Sequence, residues 1–282
     1  MQKYNPTSNT TTVVFPSFGD FTSHLATVAD DRPGPGLDKW YGDTASLGDA
    51  VSRMSKPWSD GRAVVESVIN SLDTTLKSLA LELVPVSYFD EAGAYPDIAR
   101  YLEGEPENMV AFDQTKDQTA GQVCRILVDI GASAGYTGEW MTKRAGALGA
   151  LVQVLAMVGR SVEIWIASPV KHTSRNSYHD TLVCLQSAGT PLNVDDIAFG
   201  LGHPATLRRG FFEIRGNGAT GWADGDVGTT NGKALDWTVD YLKPELVIER
   251  AENEPRGTPC PASHPAEWVR NCLVRLGLLV GE

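Results

Sequence analysis

Apolar and polar positions along this chain follow two rhythms, and each change of rhythm marks an element. Thr11-Thr-Thr-Val-Val-Phe15 reads as a short strand and Phe18 to Ala29 as a helix, before the breaker Asp30-Asp-Arg-Pro-Gly-Pro-Gly36. Between residues 44 and 83 the apolar residues recur at three- and four-residue steps. Leu47, Val51 and Met54 follow a Thr44 cap; beyond Pro57-Trp-Ser-Asp-Gly61 come Val65, Ile69, Leu72, Leu76 and Leu79. That spacing predicts two helices. Val84-Pro-Val-Ser-Tyr-Phe89 predicts an edge strand, because a proline has no N–H to give a central one. Pro96 to Leu102 reads as a short helix with proline in its first position.

The second half has the clearer grammar. Val123–Ile130 is an almost continuous apolar run and predicts a strand with Asp129 near its tip. A helix over 137–158 follows, with Met141, Ala145, Leu148, Val152, Leu155 and Val158 on one face and Gly159 closing it. Ser161–Ala167 is a second strand and 177–187 a third. The connection between them is too short for a crossover, so the third strand is expected to run antiparallel. Asn193 caps a helix to Gly202, and Pro204 opens another. Phe211–Arg215 is compatible with a strand ahead of the Gly-rich stretch 216–232. A helix over 233–242, a strand Glu245–Glu249 and a helix over 264–276 complete the pattern.

Alternation of strands and helices gives an α/β class for residues 123–282, preceded by a mostly helical region over 1–122 that packs on the core. At 282 residues, 42% hydrophobic and 21% charged, the chain is long and apolar enough to bury a substantial core. Its formal charge of -11, with no dense Lys/Arg cluster, argues against a general nucleic-acid coat. No apolar signal core or run of 18 apolar residues occurs, so a cytoplasmic protein without a membrane partner is expected. Cys124, Cys184, Cys260 and Cys272 are widely spaced without a CxxC pair, and read as free, mostly buried thiols.

Candidate chemistry centres on Asp129-Ile-Gly-Ala-Ser133, since α/β domains bind ligands at the carboxyl edge of the sheet. The plainer role for Asp129 is to cap its loop or the next helix. A phosphatase using an acid at this position needs a second acid two residues on, where Gly131 stands. Gly216-Asn-Gly-Ala-Thr-Gly221 matches a dinucleotide fingerprint but no helix start follows it, and Asp224-Gly-Asp226 reads as a solvated turn. His203-Pro204 places Arg208 and Arg209 one turn into a helix, where they would bind a phosphate or an acidic partner. The alternative is that His203 caps the preceding helix and the arginines pair with this chain's own acids. Nothing resembles a nucleophile elbow.

Val128-Asp-Ile-Gly-Ala-Ser133, Val162-Glu-Ile-Trp-Ile-Ala-Ser168, Gly228-Thr-Thr-Asn-Gly-Lys-Ala-Leu235 and Glu245-Leu-Val-Ile-Glu-Arg-Ala-Glu-Asn-Glu254 stand in the order of the von Willebrand factor A fold, which residues 123–280 resemble. The resemblance implies a three-layer, Rossmann-like sheet with one antiparallel edge strand. It also implies a Mg²⁺ or Mn²⁺ site of loop oxygens from Asp129, Ser133, Thr229 or Thr230, and Glu252. The match is partial: Gly131 replaces a ligating serine, and Glu252 stands in for a missing terminal Asp-Gly. Gly104-Glu-Pro-Glu-Asn-Met109, Lys143–Leu148, Ala198–Arg209 and Trp40-Tyr-Gly42 further resemble an uncharacterised family encoded by phages, prophages and plasmids. Together the resemblances imply a non-enzymatic protein-binding or assembly protein with a degenerate adhesion-type metal site. Its partner would be a phage structural component or an ATPase, met partly through His203, Arg208 and Arg209. The competing expectations are a metal-dependent hydrolase or nucleotide-binding enzyme using Asp129, Glu252 and Asp226, and a purely structural virion protein.

Overall fold

The computed structural model describes residues 1–7, 9–28, 39–72, 87–93, 95–112, 122–133, 135–172, 176–216, 227–230, 236–250 and 259–279. Its spine is a mixed sheet in the order β1-β2-β9-β7-β6-β11, with β8 and β10 attached beside β9. The strands are β1 (Gln2–Thr7), β2 (Thr10–Phe15), β6 (Val123–Asp129), β7 (Ser161–Ala167), β8 (Val170–His172), β9 (Tyr178–Gln186), β10 (Val227–Thr230) and β11 (Leu246–Ile248). A separate small sheet holds β3 (Ser87–Asp90), β4 (Tyr95–Pro96) and β5 (Met109–Phe112) in the order β3-β5-β4. The helices are α1 (Phe18–Ala26), α2 (Leu47–Met54), α3 (Ser59–Ser71), α4 (Ile98–Glu103), α5 (Gly138–Met157), α6 (Val194–Gly202), α7 (Asp236–Leu242) and α8 (Pro265–Arg275).

The heart of the sheet follows the pattern read from the sequence. β11, β6 and β7 run parallel in register, and β9 returns antiparallel to β7. The expected edge position of β9 is corrected, however. β2 pairs parallel with β9 through Phe15↔Val183, and β1 pairs antiparallel with β2, so the antiparallel strand lies inside the sheet. The first fifteen residues therefore supply two strands to the sheet that residues 123–282 build. An edge β9 would carry unpaired backbone groups along a strand buried over most of its length, and β2 covers them.

The two faces of the sheet are packed differently. Val13, Phe15, Ile126, Val128, Ile164, Ile166 and Val183 face the large core, which α1, α2, α3, α5, α6 and α8 close. Val14, Leu127, Ala167 and Leu182 face the other way, against Leu242 and the rings of Trp237 and Trp165, under α7. α5 is the central helix: a single apolar face was legible, yet burial runs round most of it because α3, α6 and α8 also pack on it. Gly146 and Gly149 make this possible. A Cβ on Gly146 would stand 2.4 Å from Val64 Cγ1, and one on Gly149 2.7 Å from Val65 Cγ2. Those contacts hold α3 closer than any side chain would allow.

Several local expectations are overturned: Pro96 ends strand β4 and Asp97 caps α4, Ser46 rather than Thr44 caps α2, and two segments change type. Phe211–Arg215 is helical, not a strand: a π-helical turn Thr206–Phe211 runs on into Phe212–Ile214, burying Phe211 and Ile214 at a three-residue step. Thr229 and Thr230, expected in a loop that opens a helix, lie in strand β10. Their run Val-Gly-Thr-Thr, three-quarters β-branched, suits an extended backbone. Among the described residues no helix is long and apolar enough to cross a membrane.

Candidate functional site

Asp129 ends β6 with its side chain wholly buried on the α7 face of the sheet. Its Oδ1 accepts the Gly131 N–H at 2.8 Å, the loop-capping bond expected of an Asp at this turn, while Oδ2 is buried without a hydrogen-bond partner among the described residues. Across the neighbouring strands stands a second buried acid, Asp180 of β9. Its Oδ2 accepts from Thr238 Oγ1 of α7 at 2.7 Å and its Oδ1 from the Ser168 N–H at 3.2 Å. Arg215, equally buried, donates to Ser168 Oγ and to the Ser168 carbonyl. Arg144 of α5 donates to the Asp129 carbonyl and, at 2.6 Å, to that of Glu249.

Burial dominates the electrostatics here. Loss of water pushes the Asp129 carboxyl up to about 6, against the pull of the Gly131 N–H and of the Arg144 and Arg250 charges. Asp180 is pushed up to about 7 by burial, with the Asp129 charge adding to the shift. The same burial lowers Arg215 to about 10 although both acids hold its proton. His179, next to Asp180, is driven down to about 3 by burial and stays neutral, its Nε2 2.9 Å from Thr181 Oγ1.

The expected ligand set is only partly gathered around Asp129. Ser133 is exposed, four residues past the buried acid. β8 continues beyond the end of β7 along β9, and β10 pairs with it on the side where β6 pairs with β7. Thr230 faces Val170 where Asp129 faces Ala167, so it lies about 10 Å further along the lane of β6, at ~3.3 Å per residue. Glu252 and Asp226 lie outside the described residues, as does most of the 216–232 stretch. Among the described residues no three His, Cys, Asp or Glu groups converge as a metal cluster. Asp180, Ser168, Arg215 and Thr238 were not anticipated. The available signal was an acid inside the β-branched and apolar run Tyr178–Gln186.

Beside this cluster, the loop after Ser133 opens into a cleft of about 520 Å³ lined by Trp40, Trp58, Tyr136, His203, Pro204 and Arg208 among others. The arginines expected to meet a partner or this chain's acids hold backbone carbonyls. Arg208 donates to the Trp40 and Tyr136 carbonyls with its guanidinium 4.4 Å from the Trp40 ring centre. Arg209 donates to the Thr44 and Ala45 carbonyls and lies over Tyr41 at 4.0 Å. Together they fasten the Trp40-Tyr-Gly42 segment to the helix after Pro204. The backbone N–H of His203 closes α6 by donating to Phe199, as a cap should. Its ring stacks on Phe199 at 4.2 Å and meets the edge of Trp58 at 5.1 Å, and burial lowers it to about 4.

A family model described as a domain of unknown function (DUF7192) matches residues 3–279, so the chain belongs to that family. No curated protein and no solved structure matches it.

Proposed function

We propose that this member of a family without an assigned activity is a non-enzymatic binding protein of von Willebrand A-like architecture, which takes a segment of a protein partner into the cleft beside Tyr136. The architecture is supported by the order β9-β7-β6-β11, with β9 antiparallel and the long helix α5 directly after β6. The cleft carries the functional reading. It lies where the loop leaving β6 enters α5, at the carboxyl edge, and aromatic rings and charges of both signs share its walls. A phage structural component or an ATPase as partner rests on the sequence resemblance alone.

The reading needs no metal. Asp129 offers one unpartnered buried oxygen, but among the described residues its carboxyl already feels the charges of Arg144 and Arg250, and Arg215 lies in the field of both Asp129 and Asp180. A divalent ion placed there would add two positive charges beside three guanidiniums already at the site. Arg215 fills the cation's role, and the adhesion-type site is degenerate in that sense.

Selection of a random peptide library on the immobilised chain tests both halves. Enriched peptides are expected to bind equally in Mg²⁺ and in EDTA, and to lose at least tenfold in affinity when Thr142→Trp fills the cleft. Peptides that need Mg²⁺ and ignore Thr142→Trp would overturn the reading in favour of a metal-dependent edge; absence of enrichment would overturn binding itself.

A further inference from the structure

Two sets of hydrogen-bond donors line the cleft, and they arise independently. The first is the N-terminus of α5. Thr137 caps this twenty-residue helix, its Oγ1 accepting from Trp140 N at 3.2 Å. The N–H groups of Gly138 and Glu139 stand ahead of any carbonyl four residues back, so they have no acceptor within the helix. The helix dipole adds a partial positive charge of about one half at this end. Gly138 is held against the opposite wall: a Cβ there would stand 3.0 Å from Pro204 Cγ.

The second donor is the His203 ring. The residue is 6% exposed, yet it lines the cleft. The Ala205 N–H donates to its Nδ1 at 3.2 Å, so Nδ1 carries no proton and Nε2 must. The stack on Phe199 and the edge of Trp58 fix the ring plane. Nε2–H has no acceptor among the described residues and is not among the buried unpartnered atoms, so it meets the cleft that His203 lines. A neutral ring locked in one tautomer, with its single donor in the same cleft as a helix N-terminus, is a recognition element.

Resting on the cleft-binding reading above, we infer that the α5 N-terminus and His203 Nε2–H form a subsite for one carboxylate of the bound segment. Three carboxylates also line the cleft, Asp43, Asp60 and Glu139, against Lys39, Arg53 and Arg208. That balance suits a monoanion held by directed N–H bonds and works against a dianionic phosphate. The rings of Trp40, Tyr136 and Trp58 beside the donors suit an aromatic or apolar body attached to the carboxylate.

N-acetyltryptophan and N-acetyltryptophanamide differ only in that carboxylate, and serve as the probe pair. Titrated into the ¹⁵N-labelled chain, the acid is expected to shift the Gly138 and Glu139 amides and the His203 Nε2–H resonance, and to bind at least tenfold more tightly than the amide. In His203→Phe, which keeps the stack but not the donor, that preference is expected to fall to less than threefold. Should this variant not fold, the acid–amide comparison in the wild-type chain decides alone. Equal shifts from both probes would overturn the carboxylate subsite while leaving the cleft as a binding site. No shift from either, with library peptides still sensitive to Thr142→Trp, would likewise remove the subsite alone. A stronger response of the same resonances to inorganic phosphate would overturn the choice of ligand.

Discussion

Two parts of one sheet edge, separated by fewer than ten residues of chain, treat polar groups in opposite ways. At the tip of β6 the acids Asp129 and Asp180 are buried together with Arg215, and hydroxyls and backbone N–H groups of the same chain take up most of their bonding capacity. In the cleft at the start of α5, the Gly138 and Glu139 amides have no acceptor within their helix, and the second nitrogen of the His203 ring has none among the described residues. Both are dense in charged side chains. What distinguishes them is where the bonds end. Charge answered from within binds strands, helices and loops to one another; a fixed donor left facing a cavity is available to a second molecule.

The contrast breaks most sharply at Arg215. Replacing it with methionine leaves two raised, buried carboxyls without their guanidinium, and a loss of about 3–5 kcal/mol in unfolding free energy is expected from guanidinium chloride denaturation. A loss under 1 kcal/mol would mean the cluster is not held by this arginine. Next is Gly42, at φ 72°, where a Cβ would stand 2.6 Å from His203 Cε1. Gly42→Ala is expected to cost about 1–3 kcal/mol in thermal unfolding, through overpacking and the left-handed backbone. It should also displace the ring from the cleft wall, seen as a shifted His203 imidazole resonance. An unmoved resonance would show that the wall yields elsewhere.

The smallest effect is a slope. Folded Asp180 keeps its proton to about pH 7, while its unfolded value is 3.8, so between those limits the folded chain holds more protons. The stability it contributes is full below pH 3.8 and is lost as pH rises to about 7. His203, lowered to about 4 from 6.5, acts the other way and adds stability as pH rises through that interval. Asp180→Asn removes this falling contribution and leaves the weaker one of Asp129, raised to about 6, together with the rising one of His203. Its stability is therefore expected to climb more steeply than wild type between pH 4 and 6.5 in urea titrations at stepped pH. Parallel profiles would show that Asp180 is not the group holding the extra proton.

Much of this molecule was legible in its order of residues, and the limits of legibility have physical causes. β6, α5, β7, β9, α6 and α8 announced themselves because each carries either an apolar run or an apolar repeat at the period of its own backbone, set off by recognisable caps or breakers. The hairpin sense of β9 followed from a short connection. The pairing of β2 with β9 did not, because a contact across some 170 residues leaves no local trace in either strand. Asp129 could be placed at a strand tip, but Asp180, Ser168, Arg215 and Thr238 come from separate segments and are neighbours only once the sheet and α7 have formed.

The same division holds for the cleft. His203, Arg208 and Arg209 could be singled out as a histidine and two arginines at a helix start, since residue type and a following proline are local facts. Their roles were decided by packing. Arg208 and Arg209 reach carbonyls more than 70 residues away and hold the Trp40–Gly42 segment in place, while an adjacent N–H fixes the tautomer of His203 and leaves its second nitrogen facing the cleft. Sequence by itself determined the elements and the chemistry each residue type could offer. Only the tertiary structure decided which of those groups satisfy one another and which remain open, because hydrogen bonding and desolvation depend on neighbours that the chain brings together only on folding.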